Sequence, residues 1–240
     1  MIKSLPVHMF WQTEDFSRLA RLSLASFQRH GFRVTLWSYE PDAHAMSGAG
    51  VRDARELVPE GLDADMPLPY LSSLLRYRAL ADIGGMWADM DMVALSDSPD
   101  IKAAPLIASE YLRDAGGSGK TRLSTCLMVN PEPERGNLWS RAAEAAAALS
   151  PDAWNWESAG PNLITRLMRG TPGQASMLAP EITDPPGAWN VPECFLEAID
   201  PPDAPFMHMR ASLWAMRGQD VEVAFPDGSL AGRLWREFGL

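Results

Sequence analysis

Apolar and polar positions along the first forty residues change period twice. Val7 to Trp11 is a short apolar run. From Phe16 the apolar residues recur at Leu19, Leu22, Leu24 and Phe27 until Gly31 interrupts them, and Arg33 to Tyr39 then alternates around Val34, Leu36 and Trp37 before Pro41. Strands send successive side chains to opposite faces, whereas helices line one face at a longer period. The opening therefore predicts strand, helix, strand, a βαβ unit. Asp42 to Pro67 is rich in small and charged residues without periodicity and predicts a connection with at most one helical turn. From Pro69 to Asp82 the pattern is helical, with Leu71, Leu74, Leu75 and Ala79 on one side, and the paired Gly84-Gly85 stops it. Met86 to Ala88 enters the core as a strand and leads directly into Asp89-Met90-Asp91.

Further along, Pro105 to Ser109 and Leu123 to Val129 predict strands, and Asn137 to Leu149 and Pro161 to Met168 predict helices. Between Pro180 and Pro205 stand 7 of the 20 prolines, interleaved with Trp189, Phe195, Leu196 and Ile199, which predicts an irregular segment wrapped on the core rather than disorder. Leu230 to Phe238 predicts a short amphipathic helix packed against the domain, with peripheral contact to a membrane surface as the alternative. Alternating strands and helices give an α/β fold, an open twisted Rossmann-like sheet flanked by helices, in one domain spanning residues 1–240. Strand ends of such sheets are where ligands bind, so Asp89 and Asp91 are placed for chemistry.

Composition narrows the partners. With 46% hydrophobic residues, 240 residues suffice for one substantial core. The 21 basic and 31 acidic side chains leave a formal charge of −10, which opposes nonspecific binding to nucleic acid or anionic lipid. The N-terminal residues lack the apolar core of a signal peptide, and no apolar stretch approaches the roughly 20 residues that span a bilayer, so a cytoplasmic location is expected. Cys126 and Cys194 are far apart and predict two reduced, buried thiols.

Two aspartates one residue apart can converge on a hard cation, magnesium or manganese, that keeps open positions for phosphate oxygens. A bound cation would also reconcile an acidic chain with a diphosphate ligand. An isolated Asp-x-Asp arises often by chance, but here it follows Leu74-Leu75-Arg76-Tyr77-Arg78-Ala79-Leu80-Ala81-Asp82-Ile83-Gly84-Gly85-Met86-Trp87-Ala88. That ordered run closely resembles the DxD sugar-binding region of glycosyltransferase family 32 and its relatives. His8 to Trp11, Ser26 to Tyr39, Gly160-Pro161 and His208 to Trp214 resemble further landmarks, so the likeness spans most of the chain, with the central motif its specific part.

The resemblance implies a GT-A fold and transfer of a sugar, a hexose, from a nucleotide diphosphate to a glycan or lipid-linked acceptor, with retention of configuration. UDP-sugars are the favoured donors and GDP-sugars the second choice. It implies that Asp91 binds the metal, that Asp89 contacts ribose or metal, and that Trp11 packs on the nucleobase beside Phe10. Arg76 would hold donor oxygens and neutralise the departing diphosphate, His208 would close the metal shell, and Ser212 and Trp214 would hydrogen-bond the diphosphate. Ser73 stands where relatives usually carry an aspartate that contacts the donor sugar, which motivates an alternative, a nucleotide-sugar binding protein without turnover. A metal-dependent phosphohydrolase needs more clustered ligands than Asp89, Asp91 and His208 supply. The run Gly116-Gly117-Ser118-Gly119-Lys120-Thr121 is not a P-loop, because Asp114 occupies the place of its first glycine; it predicts a loop near the acceptor entrance with Lys120 and Arg122 solvated.

Overall fold

The computed structural model describes residues 1–58, 66–97, 100–112, 120–185 and 191–240. Its opening is the expected βαβ unit. Strand β1 (Pro6–Trp11) runs parallel to β2 (Arg33–Ser38), with helix α1 (Arg18–Arg29) between them. The Ser17 hydroxyl caps α1 by accepting from the Ala20 amide at 3.1 Å. Strand β3 (Gly50–Asp53) then extends the sheet in parallel beside β2. This corrects the expectation of a connection without strand. β3 is a short edge strand with half-buried and exposed residues alternating, so it carries no apolar alternation to read. The single helical turn follows at Ala54–Glu56.

Helix α2 (Leu68–Asp82) leads into β4 (Gly85–Ala88) and β5 (Met92–Ala94), followed by β6 (Leu106–Tyr111) and β7 (Thr121–Asn130). Helices α3 (Leu138–Ala147), α4 (Trp156–Ala159) and α5 (Pro161–Gly170) precede β8 (Ser176–Met177) and α6 (Val191–Leu196). The chain closes with β9 (Phe206–His208), α7 (Ala211–Met216) and α8 (Leu230–Glu237). Among the described residues, seven strands form one sheet in the order β3-β2-β1-β4-β7-β6-β8, parallel except where β7 runs against β4 and β6. From β1 the chain proceeds outward to β2 and β3 and then returns to β4 on the other side. The C-terminal ends of β1 and β4 therefore flank the topological switch point, where open α/β sheets bind ligands.

α2 is buried on nearly all sides, through Tyr70, Leu71, Leu74, Tyr77 and Leu80, and not on one stripe alone. It packs between the sheet and α3, and a helix enclosed in this way is apolar around its circumference. Gly84, at φ 75°, ends it in the left-handed conformation that glycine adopts without a Cβ clash. Gly85, at φ 108°, lies so close to β1 that a Cβ would stand 2.6 Å from the Pro6 carbonyl oxygen. Paired glycines thus both end the helix and let β4 join the sheet. His8 secures this turn from β1: Nε2 donates to the Gly84 carbonyl at 2.8 Å, and Nδ1 accepts from the Trp37 indole at 3.2 Å.

The C-terminal region holds two further corrections. The proline-rich stretch contains a helix, α6, whose Phe195 is fully buried; Trp189 lies outside the described residues, as does 113–119 with most of the glycine-rich run. Cys126 is buried, but Cys194 is only half-buried. α8 packs as expected, with Leu230, Ala231 and Leu234 in a cluster with Leu19 and Leu22 of α1. No helix among the described residues is long and apolar enough to cross a membrane.

Candidate active site

β4 delivers Asp89 to the end of the sheet, and a tight turn carries Asp91 past it, with the Met92 amide donating to the Asp89 carbonyl at 3.0 Å. β5 then pairs antiparallel with β9, setting Met92 opposite His208. This small ribbon brings together residues more than a hundred positions apart. His208 Nε2 stands 3.3 Å from Asp91 Oδ1, while the other carboxylate oxygen accepts from the Ala211 amide at 2.9 Å. Burial works against the charge on Asp91, but His208, the Ala211 amide and Arg210 outweigh it and hold the carboxyl below its ordinary value. For His208, burial is likewise outweighed, by Asp91 and by Cys126, so the imidazole is held well above its ordinary value.

Asp89 has a different set of partners. Its Oδ1 accepts from Arg76 Nη2 at 2.8 Å and from the Trp87 indole at 2.7 Å. Arg76 is only 4% exposed, and it also donates to the Thr125 carbonyl at 3.0 Å and to the Ser72 hydroxyl at 3.1 Å. Burial raises the Asp89 carboxyl; Arg76 opposes this and the neighbouring Asp91 adds to it. Two carboxylates are thus crowded together at the strand end, an electrostatic load that a cation would relieve.

Asp91 and His208 are the pair that could hold a divalent ion, with one oxygen and one nitrogen donor 3.3 Å apart. No group of three His, Cys, Asp or Glu placed to hold a metal occurs among the described residues. Two protein ligands leave positions for phosphate oxygens and water, and an imidazole suits manganese better than magnesium.

A pocket of about 390 Å³ opens over this centre, and its walls include Phe10, Trp11, Arg76, Asp89, Asp91 and Ala211. Trp11 is half-buried, its indole nitrogen donating to the Asp15 carbonyl at 3.0 Å, and its ring packs beside Phe16. Three expected donor residues lie elsewhere. Ser73 is fully buried and its hydroxyl donates to the Pro69 carbonyl at 3.0 Å; one position earlier, Ser72 faces the pocket. Trp214 is fully buried with its indole on the Met209 carbonyl at 3.0 Å, because the short α7 turns it into the core. Ser212 is exposed at the start of α7 and is not part of the pocket wall.

Sequence reasoning missed the buried ion network behind the centre. Arg210 donates to Glu110 at 2.9 Å and pairs with Asp184 at 2.6 Å, and Glu110 also pairs with Arg122. Arg122 is therefore held by a partner and is not simply solvated. Arg210 has φ 55°, the one positive value outside glycine among the described residues, and it directly precedes the amide that grips Asp91. Its sole sequence signal was a cation next to His208 and Ala211, since its partners come from distant elements.

A scan of protein-family models and a search of curated proteins find no match. The family-32 resemblance therefore rests on the residues quoted for it. Among solved structures, the chain is similar to the glycosyltransferase GlyE of Streptococcus pneumoniae, at 12% identity and a TM-score of 0.52, over 99% of this chain and 61% of that one. The PaToxG glycosyltransferase, at 14% identity, matches over 70% of each chain with a TM-score of 0.49. An active-site mutant of LgtC, at 9% identity, matches over 85% of this chain and 86% of that one with a TM-score of 0.47. The likeness to GlyE, together with the sheet order and flanking helices, shows a GT-A-type architecture.

Proposed function

We propose that the protein is a metal-dependent glycosyltransferase that moves a sugar from a nucleotide diphosphate to a hydroxyl acceptor. The observation that carries this reading is the pairing of His208 with Asp91, which with Asp89 lines a pocket at the switch point of a GT-A-type sheet. GlyE, whose structure is similar, is described as a glycosyltransferase, in keeping with the same reading.

Asp91 and His208 would hold manganese, or less favourably magnesium, and the ion when bound would supply positive charge to the diphosphate as it departs. Around it, the chain's own groups divide the remaining work. Asp91 is fixed by the Ala211 amide, so its carboxylate is oriented before any ligand arrives. Arg76 holds Asp89 at the strand end while forming part of the pocket wall, which makes it first a positioning residue. Trp11 offers a flat apolar face to a nucleobase. UDP-sugar is the favoured donor and GDP-sugar the second; the acceptor is a glycan or lipid-linked hydroxyl, and retention follows from the family resemblance.

The test is release of nucleoside diphosphate from a panel of UDP- and GDP-sugars with manganese and a set of glycan and simple glycoside acceptors present. Wild-type protein should release it, whereas Asp91→Asn should lower the rate by about 100-fold or more, the scale of removing a preorganised charge centre. A substitution without effect on that rate would remove Asp91 from the reaction.

A further inference from the structure

Trp156 stands apart from the other large aromatic residues. Trp37, Trp87, Trp139 and Trp214 are fully buried, yet Trp156 leaves 43% of its surface exposed while lining the pocket that holds Asp89 and Asp91. It opens the four-residue helix α4, whose N-cap is the Asn155 side chain and whose buried anchor is Ala159. Neither role calls for an indole at position 156.

Its position is informative. β4 lies between β1 and β7 in the sheet. Trp11 ends β1, whereas Trp156 lies against Arg122 of β7, with the guanidinium carbon 5.7 Å from its ring centroid. The two indoles therefore flank Asp89 on opposite sides. If the Trp11 side receives the nucleobase, the Trp156 side is left for whatever approaches the sugar end of the donor. Arg122 is held by Glu110, Glu110 by Arg210, and Arg210 precedes the amide that fixes Asp91. A cation–π contact, two ion pairs and the Ala211 amide thus connect the exposed indole to the carboxylate centre.

We propose that Trp156 is the platform on which a sugar ring of the acceptor stacks. An indole face is electron-rich, and the C–H face of a pyranose is complementary to it, while the sugar hydroxyls remain free for water and for Ser72. This assignment rests on the donor-site reading and takes the acceptor's terminal unit to be a pyranose.

The test uses methyl glycosides of glucose, galactose, mannose and N-acetylglucosamine, followed by saturation-transfer NMR on protein holding UDP and diamagnetic magnesium. Trp156→Leu keeps apolar volume without a flat face, and Trp156→Phe keeps a flat face. At least one glycoside should bind the wild-type protein, lose affinity roughly tenfold in Trp156→Leu, and recover most of it in Trp156→Phe. UDP affinity in the same samples should change less than about twofold. The proposal is overturned by equal glycoside affinity in Trp156→Leu, by absence of glycoside binding to the wild-type protein, or by a parallel loss of UDP affinity, which would assign the indole to the donor. Failure of the donor-site reading looks different, since UDP then does not bind the wild-type protein, and the same panel without nucleotide still decides the platform.

Discussion

Both hydrogen bonds to the Asp89 side chain fall on Oδ1, and the donors are Arg76 and Trp87. That arrangement makes Arg76 a support before it is anything else. Replacing it with methionine strands a carboxylate and the Thr125 carbonyl, and should destabilise the fold by about 2–4 kcal/mol in urea unfolding. The lower half of that range is expected because Asp89 is 25% exposed. Arg76→Met combined with Asp89→Asn should recover part of the loss; if Arg76 were instead held in reserve for phosphate, the single change would leave stability within about 0.5 kcal/mol. His8 makes a similar structural argument. His8→Leu leaves the Gly84 carbonyl and the Trp37 indole unpaired, at a cost of about 1–3 kcal/mol. Burial holds the His8 imidazole below its ordinary value, although the Gly84 bond acts in the opposite sense. Its stabilising effect is thus full above about pH 6.5 and declines as pH falls, because the unfolded chain gains a proton first. The stability difference between wild type and His8→Leu should shrink below that pH. At this scale motif and resemblance singled out the carboxylates and His208, which the fold brings together, whereas the presence of Ser72 rather than Ser73 in the pocket wall was not legible. A one-residue change of helical phase is decided by how α2 packs, and not by its spacing alone.

At the scale of elements, the decisive connection is the one between α2 and β4. Gly85→Ala would force a Cβ onto the Pro6 carbonyl oxygen at 2.6 Å from a backbone already at φ 108°. A loss of about 3 kcal/mol or more in thermal or urea unfolding is expected. Gly170→Ala, at the end of α5 with open space around it and no positive φ, should instead raise stability by roughly 0.5–1 kcal/mol. Helices α1, α2, α3 and α5 were readable because their periods or stop signals are local. β3, β5 and β9 were not, being short strands whose identity comes from the neighbour they pair with. The ion network of Glu110, Asp184 and Arg210 was hidden for a related reason, since folding alone brings its members into contact.

Across the whole molecule, a chain with formal charge −10 builds its most crowded carboxylates at the switch point of its sheet. Repulsion there is acceptable if a cation is the natural occupant, and the same cation would let an acidic protein hold a diphosphate. The parallel half of the sheet followed from the βαβ pattern, but the reversal at β7 did not, because strand direction leaves no mark in periodicity. The chain spans 61% of GlyE, so the features common to both concern the fold, and the donor site must be tested on this protein itself. The most direct measurement is calorimetric titration of UDP into the protein with manganese, repeated with chelator and with Asp91→Ala. The account predicts saturable binding that disappears in both controls. Binding of equal strength with chelator present and in Asp91→Ala, or no binding at millimolar UDP with manganese, would contradict it.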